Sequence, residues 1–96
     1  MAYYVYILTN RRNGVLYIGG TNSLGRRVVE HQQGIADGFT KRYGLKQLVW
    51  YEAHDHIDEA IWREKRLKTW NRAWKVRLIQ TMNPEWLDLS LELLPD

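Results

Sequence analysis

The sequence predicts an α/β (α+β) fold: a small mixed sheet flanked by helices, in the order strand, strand, helix, strand, helix, helix. Three observations lead there. Two β-branched and aromatic runs, 3–9 and 15–20, are divided by Asn10-Arg11-Arg12-Asn13-Gly14, and a third run spans 47–53. Apolar residues recur at helical spacing in the segments between and after these runs. Glycine, proline and capping residues mark the segment ends. At 96 residues, with no internal repeat or linker, the chain is expected to form one domain over 1–96. Its core is just large enough to fold unaided.

The first two runs read as a hairpin, because Asn and Gly tolerate the positive φ that a tight turn needs. Tyr4, Tyr6 and Leu8 share one face of the first strand, and Val15, Tyr17 and Gly19 share one face of the second. Pairing across the loop would put Tyr6 and Tyr17 on the same side, and one residue of slip would separate them. Thr21, Asn22 and Ser23 offer oxygens to cap a helix carrying Leu24, Val28 and His31 at helical spacing. Gly34 stops that helix, and 34–44 reads as a loop. Gln47 to Ala53 is the third strand. Asp55 is placed to cap the second helix, with Asp58 and Glu59 favouring its dipole. Asn71 is placed to cap a third helix whose face includes Trp74, Leu78 and Met82. Pro84 stops it and starts a short final turn, with Asn83 as cap.

Composition narrows the function classes. Hydrophobic residues make up 45% of the chain, with five Trp and six Tyr, so an aromatic-rich core is expected. The absence of Cys excludes disulfides and thiolate metal sites and fits a reducing cytosol. No apolar run approaches the roughly 20 residues needed to cross a bilayer. The start, Met1-Ala2-Tyr3-Tyr4, lacks the basic-then-apolar pattern of a signal peptide. A soluble, cytoplasmic protein with no membrane partner is expected. The net charge of +3 is unevenly spread: residues 1–82 hold 14 basic against 7 acidic groups, whereas 83–96 hold four acids and no Lys or Arg. Seven bases lie between Arg63 and Arg77, with Glu64 as the one acid among them. Such a segment attracts polyanions, which makes Lys65, Lys68, Arg72 and Lys75 candidates for nucleic-acid contact. Taken alone, a charge run is as readily a solvated helix surface. Trp70 and Trp74 suit base stacking or, at helical spacing, packing. The acidic tail over 87–96 either packs on its own core or serves a homodimer.

Glu64 is the sharpest single observation. On a helical wheel it falls within the arc of Ile57, Ala60, Ile61 and Leu67, with Lys68 beside it. A carboxylate aimed at a core is costly unless it is paired or binds a cation. An ion pair with Lys68, or a face only half buried, would also satisfy it. A lone carboxylate suits Mg²⁺, which keeps most of its waters and takes further ligands from a substrate phosphate. Arg27 and His31, four apart, emerge on one side of the first helix. A guanidinium binds phosphate in bidentate fashion at all relevant pH values. Against these readings stand an ordinary surface Arg, with Arg26 pairing Glu30, and a structural histidine. The Tyr6 and Tyr17 phenols, with a reference pKa of about 10, need nearby cations to act as bases.

These residues resemble the GIY-YIG nuclease superfamily, and more narrowly its small stand-alone bacterial members. Tyr4-Val5-Tyr6 takes the place of the first name motif, and Tyr17-Ile18-Gly19 matches the second. Gly19 to His31 fits the family's glycine, threonine, leucine, arginine and histidine spacing. Arg63-Glu64-Lys65, Lys68, Trp70 and Asn83-Pro84-Glu85-Trp86 are similar to the later motifs. Tyr4 stands where the first motif has glycine, and Gly20 where a branched residue is more usual. The resemblance implies a three-stranded antiparallel sheet flanked by helices and an endonuclease cutting DNA with one Mg²⁺ or Mn²⁺ ion, in DNA repair or recombination. It implies Glu64 as metal ligand, Arg27 on the scissile phosphate, Tyr6 and Tyr17 lining the site and His31 assisting proton transfer. It leaves open which tyrosine activates water. Asn83 matches the late asparagine and is expected at the nucleic acid. Branched and single-stranded DNA are both candidate substrates, and RNA is an alternative. A non-catalytic nucleic-acid-binding module using Arg63 to Arg77 is the rival reading.

Overall fold

The computed structural model describes residues 2–35 and 38–93. The elements are β1 (Tyr3–Thr9), β2 (Leu16–Thr21), α1 (Leu24–Gln32), α2 (Gly38–Tyr43), β3 (Gln47–His54), α3 (Ile57–Thr69), α4 (Arg72–Met82) and a 3₁₀ turn (Leu89–Leu93). The sheet is antiparallel throughout in the order β2-β1-β3, as the resemblance implies and unlike the mixed sheet read from the residues. β1 is the central strand, so its alternating side chains feed two cores. Val5 and Ile7 pack with Ile18, Val49, Trp50, Ala60, Leu67 and Ile79 under α3 and α4. Tyr6 and Leu8 pack with Leu24, Val28, Leu45, Leu48 and Leu89 under α1 and the 3₁₀ turn.

The hairpin forms where Asn-Gly placed it. Asn13 takes φ 57°, Gly14 N–H donates to the Arg11 carbonyl, and Val15 N–H donates to Asn10 Oδ1. The register pairs Tyr6 with Gly19 and Leu8 with Tyr17, which puts both phenols on one face. From the base of α4, Arg72 donates to the Asn13 and Gly14 carbonyls at 2.8 and 2.7 Å. Arg72, a candidate for nucleic-acid contact, is thus also an anchor of the turn.

Three expectations change. The 34–44 loop contains α2, although residues 36 and 37 lie outside the described residues. His56, not Asp55, is the N-cap residue of α3, and no side-chain hydrogen bond caps that helix. Asn71 does cap α4, accepting from Trp74 N–H at 2.9 Å, but α4 buries Ile79 and leaves Trp74 and Met82 exposed. Asn83 heads the short turn expected at Pro84, its backbone carbonyl accepting from Trp86 N–H, and it is 3% exposed at the end of α4. Its amide donates to the Val49 and Leu87 carbonyls, and its carbonyl oxygen accepts from Leu87 N–H. Val49 is the extra residue of a bulge where β3 slips against Ile7 and Leu8, so this side chain clamps an irregularity in the sheet. Both polar ends of Asn83, a candidate for nucleic-acid contact, are thus engaged inside the fold. Of the acidic tail expected over 87–96, Asp88 accepts from Leu48 N–H and Leu89 packs in the core, while residues 94–96 lie outside the described residues.

Replacing Asn83 by Ala removes three side-chain hydrogen bonds and strands the Val49 carbonyl in the core. Chemical denaturation should show a loss on the order of 2–3 kcal/mol, and thermal unfolding a fall in Tm of about 10 °C or more.

Candidate active site

The candidate residues gather round Gly19-Gly20 at the end of β2, an edge strand. Gly19 pairs with Tyr6 and shares its face, whereas Gly20 pairs with Val5 and faces the other way. A Cβ on Gly19 would lie 2.5 Å from the Tyr6 hydroxyl and 3.0 Å from the Tyr17 ring, and one on Gly20 would overlap Glu64 Oε1. Two phenols thus press on one side of the strand and a carboxylate on the other, with backbone alone between them. The Tyr6 and Tyr17 rings are 6.4 Å apart.

α1 delivers Arg27 and His31 to the phenol side. The Arg27 guanidinium comes close to the Tyr6 hydroxyl, and that interaction holds its pKa above the ordinary arginine value. It also donates to Glu30 Oε1 at 3.2 Å, so Arg27 rather than Arg26 takes this partner. His31 is 1% exposed, with Nε2 3.0 Å from the Tyr6 hydroxyl and Nδ1 2.9 Å from Thr40 Oγ1. Both imidazole nitrogens are thus hydrogen-bonded inside the fold, with the donor of each bond set by the tautomer. Tyr6 is 1% exposed, and burial pushes its pKa up to about 12. The Arg27 hydrogen bond opposes that shift, while Tyr17 and the Glu64 charge add to it. Tyr6 is consequently a neutral hydrogen-bonding group at any ordinary pH.

Glu64 reaches the site from α3. That helix buries Ala60 and Leu67 but exposes Ile57 and Ile61, so its inward face is narrower than the apolar pattern suggests. Glu64 sits at the border of that face, about 60° round from Leu67. Its side chain is 20% exposed and pairs with Lys68 at 2.9 Å. Oε1 occupies the space above Gly20, and its charge reaches the Tyr6 phenol. Among the described residues no group of three or more His, Asp or Glu is placed to hold a metal. One reachable carboxylate, in a cradle that a larger residue at 20 would fill, does fit an ion that keeps most of its water shell.

The basic segment is not one cationic face. Arg63 is held by Glu52 at 3.0 Å and lies over the Trp70 ring, Arg66 lies over Trp62, and Arg72 is the hairpin anchor. Lys65 is exposed, and Lys68 and Lys75 line a shallow groove with Leu16, Tyr17, Ile18 and Phe39. Sequence reasoning missed Thr40 and Phe39. No local signal marks Thr40, whose importance lies in its contact with His31 from a segment read as loop. Phe39 is the single phenylalanine of the chain.

Residues 2–77 match the family described as the GIY-YIG catalytic domain. The chain is 35% identical over 77 residues to a UPF0213 protein of Staphylococcus saprophyticus, covering 80% of this chain and 93% of that one. It is 36% identical over 78 residues to a UPF0213 protein of Clostridium perfringens, covering 81% and 83%. Among solved structures it is similar to that of a UPF0213 protein of Bacillus halodurans, with a TM-score of 0.57 and 30% identity over 92% of this chain and 93% of that one.

A spectrophotometric titration should show a phenol ionising at about 12 that is missing in Tyr6→Phe. Since this pKa lies above its unfolded value, the stability linked to it is whole below pH ~10 and is lost as pH rises through the folded value. Unfolding free energies of the two proteins measured from pH 9 to 12 should therefore converge at the alkaline end.

Proposed function

The chain belongs to the GIY-YIG catalytic domain family, a nuclease family, and from that premise we propose that it is a divalent-metal-dependent endonuclease hydrolysing phosphodiester bonds in DNA. A part in DNA repair or recombination goes with that reading. The observation that carries it is the meeting of Tyr6, Tyr17, Arg27, His31 and Glu64 around Gly19-Gly20.

Each group then has a distinct task. Arg27, half-exposed and permanently charged, binds the scissile phosphate and stabilises the charge that builds on it during attack. Tyr6, neutral and fixed between Arg27 and His31, orients the guanidinium and hands a hydrogen bond to the imidazole. Tyr17, half-buried and facing the groove, is the phenol placed to meet the attacking water. His31, with Nδ1–H held by Thr40, keeps Nε2 as an acceptor and takes a proton passed through the Tyr6 hydroxyl. Glu64 would hold one Mg²⁺ or Mn²⁺, which supplies charge neutralisation at the phosphate and acidifies water. Lys68, which neutralises Glu64 in the free protein, would turn to substrate phosphate.

Purified protein should nick supercoiled plasmid with Mg²⁺ or Mn²⁺ and stop with EDTA. Glu64→Ala should lower the rate on the order of a thousandfold, with DNA affinity in EDTA nearly unchanged. Equal nicking by both proteins would overturn the proposal. The rival reading, a non-catalytic binding module, draws on Lys68 and Lys75 in the groove. It requires salt-sensitive binding with no metal-dependent cutting by either protein.

A further inference from the structure

The short helix α2, absent from the sequence reading, does more than carry Thr40. It sets Phe39 and Tyr43 beside Tyr17 as a row of rings. Phe39 stacks on Tyr17 with centroids 6.2 Å apart and planes at 30°, and Tyr43 lies 4.8 Å beyond Phe39. The Arg42 guanidinium sits 5.6 Å from the Tyr43 ring at the outer end. Phe39 is 44% exposed and Tyr43 43%, so two neighbouring aromatic rings face water next to the candidate active site. The same groove holds Tyr17, Phe39, Lys68 and Lys75.

Ring faces interleaved with lysines suit one kind of polyanion. Cations alone attract any phosphate backbone, duplex or single-stranded. An aromatic face adds affinity only where a base is free to leave its neighbours and stack on it, which a paired base inside a duplex is not. The tryptophans lie away from this groove: Trp50 and Trp86 are buried, whereas Trp62, under Arg66, and Trp74, edge-on to Trp70 at 89°, are exposed elsewhere on the surface.

We propose that Phe39 and Tyr43 of α2 form a stacking platform for unpaired bases of a DNA strand, with Lys68 and Lys75 on its phosphates, so that the groove takes single-stranded DNA in preference to duplex. The platform rests on the nuclease reading for its place beside the scissile phosphate. Its test needs no cleavage.

Fluorescence anisotropy in EDTA would compare a labelled oligo-dT of about 15 nucleotides with an abasic strand and a duplex of the same length. The full chain should bind oligo-dT about tenfold more tightly than either of the other two. Phe39→Leu, which keeps bulk but has no ring face, should lose about tenfold on oligo-dT and nothing on the abasic strand, and Phe39→Tyr should restore binding. Binding of oligo-dT by Phe39→Leu within about twofold of the parent, or an equal loss on the abasic strand, would overturn the platform. Ring-dependent binding by a protein that cuts nothing would strike the nuclease reading alone. Cutting by a protein whose binding ignores Phe39 would strike the platform alone.

Discussion

A sheet is a wall, and the candidate site depends on a gap in it. Side chains of a strand alternate between its faces, so an acid on a helix over one face and phenols on the other are normally kept apart by the strand between them. Here Glu64 descends from α3 on the face of Val5 and Ile18, while Tyr6 and Tyr17 belong to the face of Leu8 and Val28. Gly19 and Gly20 lie at the point of crossing. With no side chain on either residue, the Tyr6 hydroxyl closes on one side and Glu64 Oε1 on the other. The position on an edge strand matters equally, because a central strand would have a further neighbour across the gap.

Around that gap the other elements act as supports. Tyr6 comes from the central strand, where pairing on both sides fixes its backbone. His31 is held at both ring nitrogens, by β1 through Tyr6 and by α2 through Thr40, so its orientation is set by two separate elements. α1 is braced from behind by the 3₁₀ turn, through Leu24, Leu89 and the bond from Gln32 to Ser90. This bracing comes from residues beyond 77, where the family match ends. Asn83 and Asp88 from the same stretch tie down the bulge and the start of β3. The segment after α4 is thus part of what keeps α1, and with it Arg27, in place.

Much of this was legible in the residues because it depends on local chemistry. Asn13-Gly14 marks the turn, alternation fixes which tyrosines share a face, and Asn71 marks the start of α4. What escaped is what only tertiary contact decides. A six-residue helix between Gly34 and Gly44 carries too few turns to show a periodic stripe, and the buried Thr40 is explained by its contact with His31. Counting charges between Arg63 and Arg77 does not reveal that Arg63 and Arg72 already have partners within the fold. The wheel of α3 places Glu64 on the apolar side but cannot say that Ile57 and Ile61 stay in water. That moves the acid from a core position to a rim, and a rim is where a carboxylate can meet both Lys68 and solvent.

The two tyrosines show how far environment separates residues that look alike in sequence. Both stand on one face of one hairpin, with rings 6.4 Å apart. Tyr6 lies on the central strand under α1, where water is excluded and its oxygen and hydrogen are both engaged. Ionising it would place a negative charge in a dry site already facing Glu64, and the single guanidinium does not offset that cost. Tyr17 lies on the edge strand, where its ring borders Phe39, Lys68 and Lys75 at the surface. Burial therefore separates the pair: the central phenol is sealed inside the fold against His31, and the edge phenol is half-buried at the rim of the groove.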